Sequence, residues 1–168
     1  LAFGDSLTDG VGGAGENYPR RLAQLIGRPV VNAGLPGETT AQGWQRLPEV
    51  LQRERPTSLI LCLGLNDLLR GVAEADIRAN LVAMIRTAHA ADVRVLLLAT
   101  PRPGTRQAHP LYAEAAAQGG AWLDEHAMVD VLTNPALKAD LVHPNRDGYR
   151  AIAEALARRL RGDALGGS

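Results

Sequence analysis

Leu1-Ala2-Phe3-Gly4-Asp5-Ser6-Leu7-Thr8-Asp9-Gly10 opens the chain, and the rest of the sequence is best interpreted outward from it. A short apolar run followed by Gly-Asp-Ser is typical of a buried strand that ends and presents its next side chain to a cleft. Gly4 lets the backbone turn and allows a ligand to approach closely. Two interpretations of Ser6 stay open on this stretch alone: a nucleophile, or the cap of the helical turn that follows.

Apolar runs and helical periodicity alternate along the remaining chain. Further strands are predicted at 29–33, 58–63, 93–99 and 121–123, and helices at 18–26, 39–53, 75–91, 111–118 and 146–161, with one helical turn at 129–132. Continuous apolar strands joined by helices predict an α/β protein with a mostly parallel sheet covered on both faces. Ligands bind at the carboxyl ends of such strands, which is where Ser6, Gly34, Asn66 and Arg102 are expected.

The length and the charge balance of the chain limit the number of domains and the kinds of partner that we expect. The chain has 168 residues, and we expect one domain over 1–162 followed by a flexible tail over 163–168. The 18 basic and 18 acidic residues give no electrostatic footprint for nucleic acid or anionic lipid, so the expected partner is a small, largely uncharged molecule.

Targeting signals are lacking in the printed sequence. No apolar run is long enough to span a bilayer, and no signal peptide is present. Because the sequence starts at Leu1 without a methionine, we expect upstream residues to have been removed or left out. The compartment is undecided between the cytoplasm and, if a leader was removed, the periplasm or the exterior. The oligomeric state is undecided as well. Cys62 lies in an apolar run and is expected to be a packed thiol.

Asp140 and His143 form the strongest candidate for a carboxylate and base pair. A serine hydroxyl attacks a carbonyl only when a base removes its proton, and a carboxylate fixes the tautomer of that base. If the sheet has the doubly wound order 2-1-3-4-5, the last helix packs beside the first, and the loop before it lies next to Ser6. The alternative is a helix-start motif in which Asp140 or Asn145 is a cap. Asp124-Glu125-His126 is a weaker competitor.

Hydrogen-bond donors for a developing oxyanion are also available at strand ends. The candidates are the backbone N–H of Ser6, the backbone N–H of Gly34 and the side-chain amide of Asn66. The alternatives are a turn glycine and a capping amide.

Four sequence blocks together resemble a known family. These are Gly4-Asp5-Ser6-Leu7, Asn32-Ala33-Gly34, Gly64-Leu65-Asn66-Asp67 and Asp140-Leu141-Val142-His143, in the order and wide spacing found in the SGNH (GDSL) hydrolases. Gly37-Glu38-Thr39-Thr40 and His143-Pro144-Asn145-Arg146-Asp147 resemble the bacterial thioesterase/protease/lysophospholipase branch. Leu65 departs from it, because that branch usually has glycine there, and the segment between Thr100 and Asp140 is shorter.

The resemblance implies a flavodoxin-like three-layer α/β/α sandwich of about five parallel strands. It implies Ser6 as nucleophile, His143 as base, Asp140 as its partner, and Ser6, Gly34 and Asn66 as the oxyanion hole, with no cofactor and no metal. The expected activity is a serine esterase acting on short to medium acyl chains, with thioesters and lysophospholipids open as further substrates. Residues expected to contact the substrate are Leu35, Leu65, Leu68, Arg102 and Val142.

Two other functions stay open. Related enzymes remove acetyl groups from sugars, so a carbohydrate O-deacetylase is one alternative, although an aromatic content of 4% argues against a sugar-stacking site. A non-catalytic flavodoxin-like module that holds a nucleotide is the other. For Arg102, orientation of a polar leaving group competes with a solvated loop position.

Overall fold

A five-stranded parallel sheet in the order β2-β1-β3-β4-β5 organises the molecule. The structure is a computed structural model that describes residues 1–166, with side chains through residue 162. In chain order the elements are β1 (Ala2–Gly4), α1 (Ser6–Asp9), α2 (Tyr18–Ile26), β2 (Asn32–Gly34), α3 (Thr40–Glu54), β3 (Ser58–Cys62), α4 (Leu65–Leu69), α5 (Glu74–Ala90), β4 (Arg94–Leu98), α6 (Pro110–Gly119), β5 (Trp122–Asp124), α7 (Ala127–Leu132), a 3₁₀ turn (Pro135–Leu137) and α8 (Arg146–Gly166).

Side chains alternate between the two faces of the sheet, and each face buries its own apolar core. Phe3 points into a core shared with α3, α5 and α6, whereas its neighbour Ala2 points into a core shared with α2, α7 and α8. This alternation is the period of two expected for strands covered on both sides. The predicted three-layer α/β/α sandwich and its strand order are therefore confirmed.

The first strand lies between two partners whose ends are level with its own. Gly4 at the end of β1 is in register with Gly34 of β2 and with Cys62 of β3. The loops that follow these three strands therefore begin at one edge of the sheet. Helices α2 and α8 pack against each other on one face, as predicted, and this brings the segment before α8 to the same edge.

The C-terminal helix is longer than predicted. The sequence predicted a helix over 146–161, whereas α8 continues through Gly166. Ala164 and Leu165 are strong helix formers, and an isolated Gly162 costs a helix only about 1 kcal/mol, so nothing stops the helix at residue 162. Gly167 and Ser168, the rest of the predicted tail, lie outside the described residues.

None of the helices described between residues 1 and 166 combines the length and the apolar character that crossing a bilayer requires.

Candidate active site

The turn after β1 places Ser6 at the first position of α1. Asp5 is the N-cap of this helix, because its Oδ1 accepts a hydrogen bond from the Leu7 N–H at 2.9 Å. The interpretation of Ser6 as the cap is therefore wrong. A Cβ at Gly4 would come within 2.3 Å of the carbonyl oxygen of Cys62, so only glycine allows the turn to lie against β3.

Asp140, His143 and Ser6 form one continuous hydrogen-bonded relay. His143 Nδ1 lies 2.8 Å from Asp140 Oδ2, and His143 Nε2 lies 3.0 Å from Ser6 Oγ. The serine and the histidine are 137 positions apart in the chain. Ser6 is buried, whereas the His143 side chain is 20% exposed, so the relay reaches the surface through the imidazole and Asp140.

A short closed loop holds the acidic partner in place. The N–H groups of Val142 and His143 both donate to Asp140 Oδ1 at 2.8 Å, and the loop is closed by a bridge between Lys138 and Pro144. The Val142 N–H foremost, and then the His143 side chain, lower the pKa of Asp140 to about 2. The half-exposed carboxylate is therefore ionised at any pH at which an imidazole is neutral.

Of the two capping alternatives for the last helix, Asn145 rather than Asp140 is the cap in the structure. Asn145 caps α8, since its Oδ1 accepts from the Gly148 N–H at 2.9 Å, and this leaves Asp140 free to contact His143. In the competing pair, Asp124 Oδ1 accepts from the backbone N–H groups of His126 and Ala127. Asp124 thus binds the backbone that leads into α7 and makes no hydrogen bond to the His126 ring in the described structure.

Gly34 does not supply the free donor that was predicted. Its N–H already donates to Asn32 Oδ1 at 2.9 Å. The glycine is required for another reason, because a Cβ there would lie 2.2 Å from the Asp9 backbone nitrogen. Gly34 therefore lets β2 pack closely against α1.

The turn that follows β2 contains an unused backbone donor. Glu38 N–H donates to the Leu35 carbonyl at 3.1 Å, and Gly37 has φ +80°, which together define a type II turn with Pro36 and Gly37 at its centre. The Gly37 N–H has no acceptor within residues 1–166. Sequence analysis missed this donor, although Pro-Gly before a helix start is a signal for such a turn.

Asn66 links the two turns. Its Nδ2 donates to Asp5 Oδ2 at 3.0 Å and to the Glu38 carbonyl at 3.1 Å. Asp5 is almost fully buried, and burial raises its pKa to about 7, against the opposing effects of the Leu7 N–H and the charge of His143. The predicted amide therefore lies between the Ser6 turn and the Gly37 turn, with both of its N–H groups engaged.

An ion pair that sequence analysis did not assign fixes the Gly37 turn. Arg46 donates to both carboxylate oxygens of the buried Glu38 at 2.6 Å and to the Ala33 carbonyl at 3.0 Å. Its guanidinium lies over the ring of Phe3, 4.0 Å from the centroid. A bidentate pair of this kind restricts the turn geometrically as well as energetically.

The predicted substrate contacts divide between two grooves. Leu65, Arg102 and Val142 line a groove of about 390 Å³ beside the His143 loop. Leu35 lines another, of about 530 Å³, together with Gly37 and Glu38. Leu68 is not brought to either groove and packs instead against the α3–α5–α6 core. Within the described residues, no three His, Cys, Asp or Glu side chains cluster as metal ligands would.

Comparison with known proteins places this geometry in a family. The model of the GDSL-like Lipase/Acylhydrolase family matches residues 2–151. Esterase TesA of Pseudomonas aeruginosa is 43% identical over 121 residues, which cover 68% of this chain and 59% of that protein. Thioesterase 1/protease 1/lysophospholipase L1 of Escherichia coli K12 is 31% identical over 171 residues, covering 96% and 82%.

Solved structures agree with the sequence comparison. The crystal structure of TesA superposes with a TM-score of 0.87 at 29% identity, covering 96% of this chain and 97% of that chain. The psychrotrophic esterase EstA of Pseudoalteromonas has the same TM-score at 23% identity, which supports the shared fold. The chain therefore belongs to the GDSL-like Lipase/Acylhydrolase family.

Proposed function

We propose that this protein hydrolyses carboxylic esters through an acyl-enzyme formed on Ser6. The observation that carries the proposal is the relay from Asp140 through His143 to Ser6, with contacts of 2.8 and 3.0 Å. For Nε2 to accept the serine proton, the imidazole hydrogen must reside on Nδ1, where Asp140 accepts it. The carboxylate therefore both selects the tautomer and stabilises the charged imidazole that forms later.

The reaction is a double displacement. Ser6 Oγ attacks the ester carbonyl carbon while His143 Nε2 takes the hydroxyl proton, and the same nitrogen then gives that proton to the leaving alcohol. In the second half, His143 takes a proton from water, whose oxygen attacks the acyl carbon. Collapse of the second tetrahedral intermediate releases the acid and returns the proton to Ser6 Oγ.

Backbone N–H groups of Ser6 and Gly37 are the proposed donors to the oxyanion. Both lack a hydrogen-bond acceptor within the described residues, and Asn66 contacts the neighbours of both, Asp5 and Glu38. Gly37 replaces Gly34 in this role. Asn66 contributes by transferring one N–H from the Glu38 carbonyl to the oxyanion, while the other N–H keeps its bond to Asp5.

Short to medium acyl esters are the proposed substrates. Leu65, Leu69 and Val142 give the groove beside the His143 loop an apolar wall, and the relatives named above include an esterase and a thioesterase/lysophospholipase. The relay needs only a carbonyl and a leaving group, so thioesters are within its chemistry. No aromatic side chain lines either groove in the described part of the chain, so nothing there favours sugar acetyl groups.

Replacement of the nucleophile tests the proposal. Ser6→Ala should lower kcat/KM for p-nitrophenyl butyrate by roughly 10⁴-fold or more, because no other group can form the acyl-enzyme. The matched control is Ser58→Ala, which removes the hydroxyl of an exposed serine at the start of β3 and should hydrolyse the ester like the parent. Circular dichroism should show both variants folded, and parental rates in folded Ser6→Ala would refute the proposal.

A further inference from the structure

The groove beside the His143 loop has two chemically different walls. One is apolar and open to solvent, with Leu69 exposed by 55% and Leu141 by 89%. The other carries three cations, Arg102, Arg106 and Lys138. We refer to this groove, lined by Leu65, Leu69, residues 101–106, Leu132, Thr133, Lys138, Leu141 and Val142, as the cationic groove.

The positive charge in this groove is not neutralised by the protein. Among the lining residues of the described chain there is no aspartate or glutamate, and the guanidinium groups of Arg102 and Arg106 bond to no other group within residues 1–162. Lys138 Nζ donates only to the Leu141 carbonyl, at 3.0 Å. The balanced total of 18 basic and 18 acidic residues, which predicted a largely uncharged partner, hides this local excess.

Arg102 and Arg106 lie on a hairpin whose backbone is held by hydrogen bonds. Its base is a bridge between Pro101 and Ala108, and the Arg102 N–H donates to the Gln107 carbonyl at 2.9 Å. At the tip, the backbone N–H and the hydroxyl of Thr105 both donate to the Arg102 carbonyl at 3.0 Å. These bonds fix the backbone, so the side chains of Arg102 and Arg106 both project from a defined position over the groove.

We infer that the cationic groove selects ester substrates that carry a carboxylate or phosphate group at the end of an apolar stem. The stem would lie on Leu69, Leu141 and Val142, next to the His143 loop, while the anion pairs with the arginines. Guanidinium groups recognise both anions through paired N–H donors. This inference rests on the proposed ester hydrolysis and adds a charge requirement to it.

Because the arginines are exposed, the expected selectivity is modest and sensitive to salt. Solvent-exposed ion pairs contribute little individually and are screened within about 10 Å at 0.1 M salt. Two or three such contacts should raise kcat/KM for an anionic ester by about fivefold over its neutral counterpart at low salt. The advantage should shrink at 0.5 M NaCl.

Two pairs of matched esters test the inference and locate the anion. On the alcohol side, the butyrate ester of 4-hydroxybenzoate is compared with that of 4-hydroxybenzamide. On the acyl side, the mono-p-nitrophenyl ester of adipate is compared with p-nitrophenyl hexanoate. We expect the parent to prefer the anionic member of one pair, and R102E/R106E to lose or reverse that preference, measured as the ratio of kcat/KM within each pair.

The matched control is R28E/R86E, which makes the same change in net charge at two exposed arginines outside the groove. It should keep the parental preference. Equal rates within both pairs for the parent, or equal effects of the two double variants, would overturn the inference. Failure of the parent to hydrolyse p-nitrophenyl hexanoate would instead refute the proposed ester hydrolysis, so the two failures are distinguishable.

Discussion

Asp5, the residue before the proposed nucleophile, holds two parts of the site together with one carboxylate. Oδ1 accepts from the Leu7 N–H at 2.9 Å and Oδ2 accepts from Asn66 Nδ2 at 3.0 Å. A carboxylate can accept at both oxygens, whereas an amide offers one acceptor and one donor. The sequence Gly-Asp-Ser therefore requires the acid because the serine turn and the Asn66 amide both donate to it.

Asp5→Asn should keep the hydrogen bond from the Leu7 N–H and lose the one from Asn66. Asparagine is as good an N-cap as aspartate, so the Leu7 bond should remain, while the NH₂ group then faces the amide of Asn66. We expect kcat for p-nitrophenyl butyrate to fall by about 10²-fold with little change in KM, because misplaced donors weaken transition-state binding. Steady-state kinetics gives both parameters.

A capping variant outside the relay provides the control. Asn17→Ala removes the bond from the Arg20 N–H to Asn17 Oδ1 at the start of α2, and it should cost about 1 kcal/mol of stability with kcat unchanged. Parental kcat in Asp5→Asn would contradict the positioning role of Asp5.

Sequence patterns indicated the proposed nucleophile, base and acid, because each has a distinctive context of its own. Ser6 follows a strand, and the carboxylate and imidazole are three residues apart. The oxyanion glycine could not be assigned in this way. Whether Gly34 or Gly37 has a free N–H depends on where the Asn32 side chain points, and only the folded turn determines that.

Buried hydrogen bonds join α3 to α4 beside the proposed oxyanion donors. Asp67 of α4 accepts hydrogen bonds from the Thr40 N–H at 2.9 Å and from the Thr40 hydroxyl at 2.7 Å, at the first residue of α3. Asn80 of α5 donates to the same hydroxyl at 3.1 Å. A buried carboxylate at a helix N-terminus also complements the helix dipole.

Removal of this carboxylate should be costly. Asp67→Ala leaves the Thr40 N–H buried without its acceptor, and we expect a loss of about 2–3 kcal/mol in the free energy of unfolding, measured in urea. Glu49→Ala is the matched control, because it removes an exposed carboxylate 3.9 Å from Arg53 within α3. That change should cost less than about 0.5 kcal/mol. Similar losses of stability in both variants would show that the hydrogen bonds between Asp67 and Thr40 do not stabilise the fold.

At this scale the long helices were predictable because their apolar periodicity extends over several turns, and β3 and β4 because they are continuous apolar runs. Helices α1 and α4 were not predicted as elements, since four and five residues are too few to show a period. Their formation depends on tertiary contacts such as the Asp5 cap and the Asp67 bond. Both of these short helices carry proposed site residues, Ser6 and Asn66.

The whole molecule is needed to assemble the site, because its parts come from both ends of the chain. The hydroxyl of Tyr149 in α8 donates to the Val11 carbonyl at 2.8 Å and to the Ser6 carbonyl at 3.3 Å. Packing of α8 on α2 then places the His143 loop over the serine. The relay therefore depends on the packing of α8 against the rest of the sandwich.

Burial of Asp5 makes the stability of the whole fold depend on pH. Its pKa is about 7 in the folded state and near 3.8 in the unfolded chain, so the folded protein holds this proton more tightly. The stabilisation is fully present below pH 4 and is lost as the pH rises through 7. Between pH 4.5 and 8 the parent should lose on the order of 3 kcal/mol relative to Asp5→Asn, measured by urea unfolding of both proteins.

The pKa of Asp140 is shifted in the opposite direction to that of Asp5, so its contribution to stability depends on pH in the opposite sense. Its pKa is lowered to about 2, so its contribution is present above about pH 4 and is lost only as the pH falls through 2. It therefore does not change between pH 4.5 and 8. A parent whose stability relative to Asp5→Asn is constant over that interval would show that Asp5 is already ionised in the folded state.

The hairpin that carries Arg102 and Arg106 is closed at its own base by Pro101 and Ala108, whereas the acid and the base lie on a separate loop closed by Lys138 and Pro144. In the proposed function the reacting groups therefore lie on one segment, whereas the two arginines of the cationic groove lie on another. Residues 102–107 can therefore be exchanged as a cassette between related enzymes without touching the groups that react. Related hydrolases could thus come to differ in substrate preference through this hairpin alone, while they keep the same reacting residues.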